Sequence, residues 1–212
     1  MEPIIQEIYQ NILDGRHTEM ASKVQEALEA GFTPRVVLEE GMIAAMAEVG
    51  RLFEAGEFYV PEMLISARAM QAGLAVLKPH LKETNVQAVG KVAIGTVKGD
   101  LHDIGKNLVS MVLEGAGFEI LDLGTDVSPE KFVAAADLVD VIALSGLLTT
   151  TIPGMKTVIQ QLQDAGKRQK VKVIVGGAPV TESYADQIGA DGYASNASRA
   201  VAVTKALLDK AK

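Results

Sequence analysis

The fold predicted is an N-terminal four-helix bundle followed by a flavodoxin-like, doubly wound α/β domain with a five-stranded parallel sheet. Three observations predict it. Apolar residues recur at helical spacing through the first eighty or so positions. From Lys91 onward, short and nearly continuous apolar runs alternate with helical segments, the pattern of a parallel sheet covered on both faces. Between them, residues 82–90 are polar and break the periodicity.

In the helical half, Ile4 and Ile5, Ile8 and Ile12 share one face, and Met20, Val24 and Leu28 share another. Met42, Met46, Val49 and Phe53 follow steps of four, three and four. Met63, Ala67, Met70, Leu74, Leu77 and Leu81 continue in the same way. Thr33-Pro34 reads as an N-cap and first helical position, and Pro61 should open the last helix. Gly31 and Gly56 mark turns. The expected division is a helical domain over 1–84, a linker over 85–90 and a sheet domain over 91–212.

In the second half, strands are expected over 91–97, 118–121, 139–144, 171–175 and 192–194. Helices should follow over 104–115, 129–136 (opened by Ser128), 152–165, 181–188 and 196–211. Ligands of such sheets bind beyond the carboxyl ends of the strands, so the loops there are where chemistry is expected.

Composition removes several function classes. Aromatic residues are 4% with no Trp, so the core must be aliphatic. The absence of Cys excludes disulfides, thiolate zinc sites and a cysteine nucleophile, and suits a cytoplasmic protein. A net charge of −7 without a Lys/Arg cluster argues against nucleic acid as a partner. The apolar stretch 132–148 is broken by Asp137 and Asp140, so no membrane span is expected. The N-terminus shows no signal peptide.

After the first strand comes Gly99-Asp100-Leu101-His102-Asp103-Ile104-Gly105. After the third comes Ser145-Gly146-Leu147-Leu148-Thr149-Thr150-Thr151. Gly176-Gly177 follows the fourth and Ser195-Asn196-Ala197 the fifth. Asp100 lies two residues before His102. It can stand behind the imidazole as a carboxylate stands behind a metal-ligating histidine, or it can cap the next helix. His17 and His80 read as surface residues of the helical half. One histidine without cysteine is a poor set for a protein-held zinc, which takes three or four protein ligands. A metal here should bring its own macrocycle and leave an axial position for one nitrogen.

The run Asp100-x-His102-x-x-Gly105, with Ser145-x-Leu147 and Gly176-Gly177 downstream, resembles the cobalamin-binding signature. Residues 95–107 are similar, almost position by position, to the cobalamin module of methionine synthase. So are Val49-Gly50-x-x-Phe53 to Pro61, Ser66-Ala67-Arg68-x-Met70, and 193–199, so the resemblance covers about residues 30–200.

The resemblance implies a bound cobalamin or related corrinoid, with its cobalt base-off and His-on. His102 would be the lower axial ligand, Asp100 its hydrogen-bond partner, and Thr151 the third member of the relay where methionine synthase has Ser. Asp103, Gly105, Leu147, Asn196 and Ala197 would line the cofactor. Ser145 and Thr149 would contact its nucleotide tail, and Gly176 and Gly177 would let the tail pass. Phe53 and Val60 would shield the methyl face. Val60 departs from the Leu of methionine synthase, and Phe53 equally fits the apolar stripe.

The implied function is a corrinoid-carrying methyl-transfer subunit, without a substrate-activating site of its own. It would take a methyl group on cobalt from a substrate-specific methyltransferase. An acceptor methyltransferase would then pass that group to a thiol or a tetrahydrofolate or tetrahydropterin. A reductive activating protein would rescue oxidised cobalt, and the linker would be the hinge. The donor stays open among methylamines, methoxyaromatics, methanol and betaines. A cobalamin-dependent sensor is the alternative.

Overall fold

A computed structural model describes residues 2–83 and 88–209, except for the side chains of residues 82 and 83. Residues 85–87 of the expected linker, and the hinge assigned to them, lie outside the described residues. The chain divides into two compact units, 1–88 with 114–117, and 89–113 with 118–212.

In the helical unit, α1 (Pro3–Leu13) starts on a proline and buries Ile5, Ile8 and Ile12. α2 (His17–Glu29) buries Met20, Val24 and Ala27, so Ala27 takes the core place that Leu28 was expected to hold. The Thr33 hydroxyl accepts the Val36 N–H at 3.3 Å and caps α3 (Pro34–Val36), with Pro34 in the first turn. α3 runs directly into a π-helix (Val37–Ile43) and then α4 (Ala44–Glu54). Gly41 lies in the π-helical turn, where a Cβ would come within 3.1 Å of Ile8 on α1. α5 (Val60–Glu83) begins one residue before Pro61, because the Glu62 carboxylate accepts the Tyr59 N–H at 2.9 Å and closes the turn there. Met63, Ala67, Met70, Leu74 and Leu77 form its buried stripe.

In the sheet unit, β1 (Lys91–Val97), β2 (Glu119–Val127), β3 (Val141–Ser145), β4 (Lys172–Gly176) and β5 (Gly192–Ala194) pair in parallel in the order β2-β1-β3-β4-β5. The helices are α6 (Ile104–Gly115), α7 (Pro129–Ala135), α8 (Pro153–Asp164), α9 (Glu182–Ile188) and α10 (Ala197–Asp209). The strand order reverses between β1 and β3, which opens a crevice beyond their carboxyl ends. Phe132, Ile142, Leu144, Met155 and Leu162 pack in one core cluster with Val173 and Val175, aliphatic apart from Phe132.

One element departs clearly from expectation. β2 runs to Val127 instead of ending at Leu121. Its register against β1 shifts twice, between Ile94 and Gly95 and between Gly95 and Val97. Asp122, Gly124, Thr125 and Asp126 leave Leu123 isolated and hide this edge strand from a reading based on apolar runs. Other boundaries differ by a residue or two.

Candidate functional site

Asp100 organises the crevice. It follows β1 in a turn closed by the Asp100 N–H donating to the Val97 carbonyl at 3.1 Å, with Gly99 in the left-handed region at φ +84°. The residue is fully buried. Its Oδ1 accepts the His102 backbone N–H at 3.1 Å and lies 2.7 Å from the ring Nδ1. Its Oδ2 accepts the N–H groups of Leu147 and Leu148, at 2.8 and 3.1 Å, and the Thr151 hydroxyl at 2.8 Å. The loops after β1 and β3 are thus joined through one carboxylate.

These contacts decide its charge. Burial pushes the Asp100 carboxyl up. Hydrogen bonds from Leu147, the His102 ring, Leu148 and the His102 backbone outweigh that push and hold it well below its ordinary 3.8. Asp100 is therefore an anion at neutral pH and only accepts. The 2.7 Å contact is then Nδ1–H donating to Oδ1, and in the neutral ring Nε2 carries the lone pair. The His102 side chain is 50% exposed. The arrangement is an exposed imidazole nitrogen of fixed tautomer at a strand end, chemically able to ligate a metal.

A second set of groups supports the turn. The buried Thr96 hydroxyl donates to the His102 carbonyl at 2.9 Å. Asp126 accepts the Gly99 N–H at 2.7 Å and donates its own N–H to the Asp100 carbonyl at 3.0 Å. Lys106, 3% exposed, donates to both oxygens of Asp122 at 2.8 and 2.7 Å and to Asn107 at 2.7 Å. Burial works against the Asp122 anion, but Lys106 and the Gly124 N–H lower its pKa. Thr96, Asp126 and Lys106 were not singled out from the sequence, because each reads as an ordinary strand or helix residue until its partner is known.

The remaining expected residues fall as follows. Asp103 is exposed and accepts from Asn107 at 3.1 Å. Ser145 lies half-buried in register between Thr96 and Gly176, and Thr149 is exposed in the loop beyond. Leu147 joins the network through its backbone N–H. Asn196 accepts the Arg199 N–H at 2.8 Å, which caps α10, and Ala197 is buried behind it. A Cβ on Gly176 would stand 2.9 Å from the Ala194 carbonyl oxygen, and one on Gly177 would collide with the Gly146 carbonyl oxygen. Neighbouring backbone alone thus demands both glycines. Phe53, half-buried on the last turn of α4, and Val60, exposed at the start of α5, belong to the helical unit.

Two features point to a large, partly apolar ligand. Leu101 and Ile104, on either side of His102, are 72% and 79% exposed, and Leu147 and Leu148 are each 41% exposed. Such a group is unusual on a surface that meets only water. A Cβ on Gly105 would meet nothing within 4 Å, so the protein's own packing does not require glycine there.

Residues 90–202 match the family described as B12 binding domain, and residues 4–78 match a second family with the same description. Dimethylamine corrinoid protein 1 of Methanosarcina acetivorans is 44% identical over 210 residues, covering 98% of both chains. Trimethylamine corrinoid protein 1 of the same organism is 44% identical over 195 residues, covering 90% of both. Among solved structures, a cobalamin-binding protein from Desulfitobacterium hafniense superposes with a TM-score of 0.78 at 30% identity, covering 95% of this chain and 97% of that one. The methanol:cobalamin methyltransferase complex MtaBC from Methanosarcina barkeri gives a TM-score of 0.86 at 29% identity, covering 98% of this chain and 80% of that one.

Proposed function

The chain belongs to the B12-binding domain family, and from that premise we propose that it is a corrinoid-carrying methyl-transfer subunit in which His102 is the protein's ligand to cobalt. The observation that carries the proposal is the buried, ionised Asp100 fixing the His102 tautomer so that Nε2 holds the lone pair. The residues present fit the cofactor. No cluster of three or more His, Cys, Asp or Glu side chains able to hold a metal occurs among the described residues, so a metal at His102 needs the other ligands that a macrocycle brings. The exposed Leu101 and Ile104 would meet such a ring, and Gly105 leaves space that a side chain would fill.

A bound corrinoid supplies a cobalt centre that takes up and gives away a methyl group. The chain's residues bind, orient and tune. His102 would offer Nε2 to the cofactor's metal. Asp100 keeps the Nδ1 proton in place and the ring oriented, and the Thr151 hydroxyl holds the far oxygen of the same carboxylate. Ser145, Leu147, Thr149, Gly176 and Gly177 would hold the tail, with Asp103, Gly105, Asn196 and Ala197 at its margins. Phe53 and Val60 would shield the methyl face.

The similarity to dimethylamine and trimethylamine corrinoid proteins supports a methylated amine as donor, brought by its own methyltransferase. A second methyltransferase would pass the methyl group to a thiol or a tetrahydropterin, and a reductive activating protein would return oxidised cobalt to use.

The direct test is reconstitution with cobalamin beside a His102→Ala variant. Expected are a red parent protein whose cobalt(II) form shows splitting by one axial nitrogen, and a variant without that splitting. A parent chain that takes up no corrinoid would overturn the proposal. Methyl loading from dimethylamine by a dimethylamine-specific methyltransferase, set against methanol with its own enzyme, tests the donor.

A further inference from the structure

We propose that Asp126 is a positioning residue for His102, acting through the backbone of the turn that carries the imidazole. The inference rests on the reading of His102 as the axial ligand and adds to it a residue outside the recognised signature.

β1 and β2 begin in plain register, with Lys91 beside Glu119 and Ile94 beside Asp122. Gly95 then pairs with Gly124 and Val97 with Val127, so an extra residue enters β2 at each of two register shifts. Bulges of this kind redirect side chains at strand ends, often beside functional sites. Here the displaced segment carries Asp126 into the left-handed region at φ +51°, where it is the one non-glycine residue among those described. Such a conformation persists where the surroundings hold it.

What holds Asp126 is the His102 turn. Its carboxylate accepts the Gly99 N–H at 2.7 Å, and its N–H donates to the Asp100 carbonyl at 3.0 Å. Two consecutive residues of the turn are thus gripped from β2. The Asp100 side chain in turn grips His102 and the β3 loop. Without Asp126, the Asp100 carboxylate would still meet its partners, but the backbone placing it would lose its anchor on that side. The imidazole would reach the metal from a less certain position.

The test uses the full chain with Asp126→Gly, Asp126→Ala and Asp126→Asn. Glycine accepts the backbone conformation but removes the acceptor. Asparagine tolerates positive φ and keeps an acceptor oxygen. In the cofactor-free protein, amide exchange of Gly99 should become about tenfold faster in the Gly and Ala variants, the factor a charge-assisted hydrogen bond carries, with most of the protection restored in Asn.

After reconstitution with cobalamin, a large fraction of Gly-variant cobalt(II) should lose the axial-nitrogen splitting, and the Asn variant should regain it. Should the Ala variant fail to fold, the Gly and Asn pair still decides. Parent-like Gly99 exchange in the Gly variant overturns the clamp. Parent-like splitting in all three variants overturns the positioning role, even where thermal stability falls. If instead His102→Ala keeps the parent's splitting, the axial-ligand reading itself has failed, and that result is distinct from either.

Discussion

Asp100 is a buried anion surrounded by five donors, and its energetics follow from that count. Its folded-state pKa lies below the ordinary 3.8. The stability it contributes is therefore fully present above that value and is lost as pH falls through the lower folded pKa. Urea unfolding followed downward from about pH 5 should show stability dropping steeply in the acid range. Asp100→Asn should flatten that part of the curve. It should also cost about 2–3 kcal/mol at neutral pH, because an amide nitrogen would face N–H donors. Thr151→Val removes one donor while Oδ2 keeps two N–H partners, so about 1 kcal/mol is expected from the same titration. His102 and Asp100 could be read together from the sequence because they stand two residues apart, and Thr151 because the resemblance to the methionine synthase module implies a hydroxyl there. Thr96 and Asp126 could not. Asp126 meets its partners through the pairing of β2 with β1, and Thr96 meets the His102 carbonyl where the loop after β1 folds back on the strand; neither leaves a local mark on an aspartate or a threonine.

At the scale of elements, the parallel strands β1, β3 and β4 were legible because burial on both faces makes them continuous apolar runs. β2 was half legible. It is an edge strand, and its second half is polar, bulged and tied to the neighbouring turn, so no apolar run announces it. Glycines at strand and helix ends separate into two kinds, which a paired substitution distinguishes. Gly177→Ala places a Cβ onto the Gly146 carbonyl oxygen at φ +136°, and should destabilise the protein by about 3 kcal/mol in thermal or urea unfolding. Gly105→Ala meets no atom of the protein and lies in the first turn of α6. It should raise the stability of the cofactor-free chain by up to about 1 kcal/mol through helix propensity, yet weaken corrinoid uptake on reconstitution. Undiminished uptake would mean that the cofactor does not lie over this glycine.

For the whole molecule, the chain divides into two compact units, 1–88 with 114–117, and 89–113 with 118–212. The sheet unit carries what independent folding requires. Its five strands are all paired within it, and its core cluster draws on β1, β3 and β4 together with α7, α8 and α9. Every group bonded to the Asp100 carboxylate also lies within that unit. A fragment of residues 89–212 should therefore fold by itself, with one cooperative urea transition, because its strands pair with one another and enclose a hydrophobic core of their own. In its amide spectrum, Leu147 and Leu148 should stay protected from exchange, as donors to a buried carboxylate. A cooperative fragment with those two amides unprotected would mean that the sheet forms alone while the site does not. A fragment without any cooperative transition would mean that residues 1–88 contribute to the stability of the sheet itself.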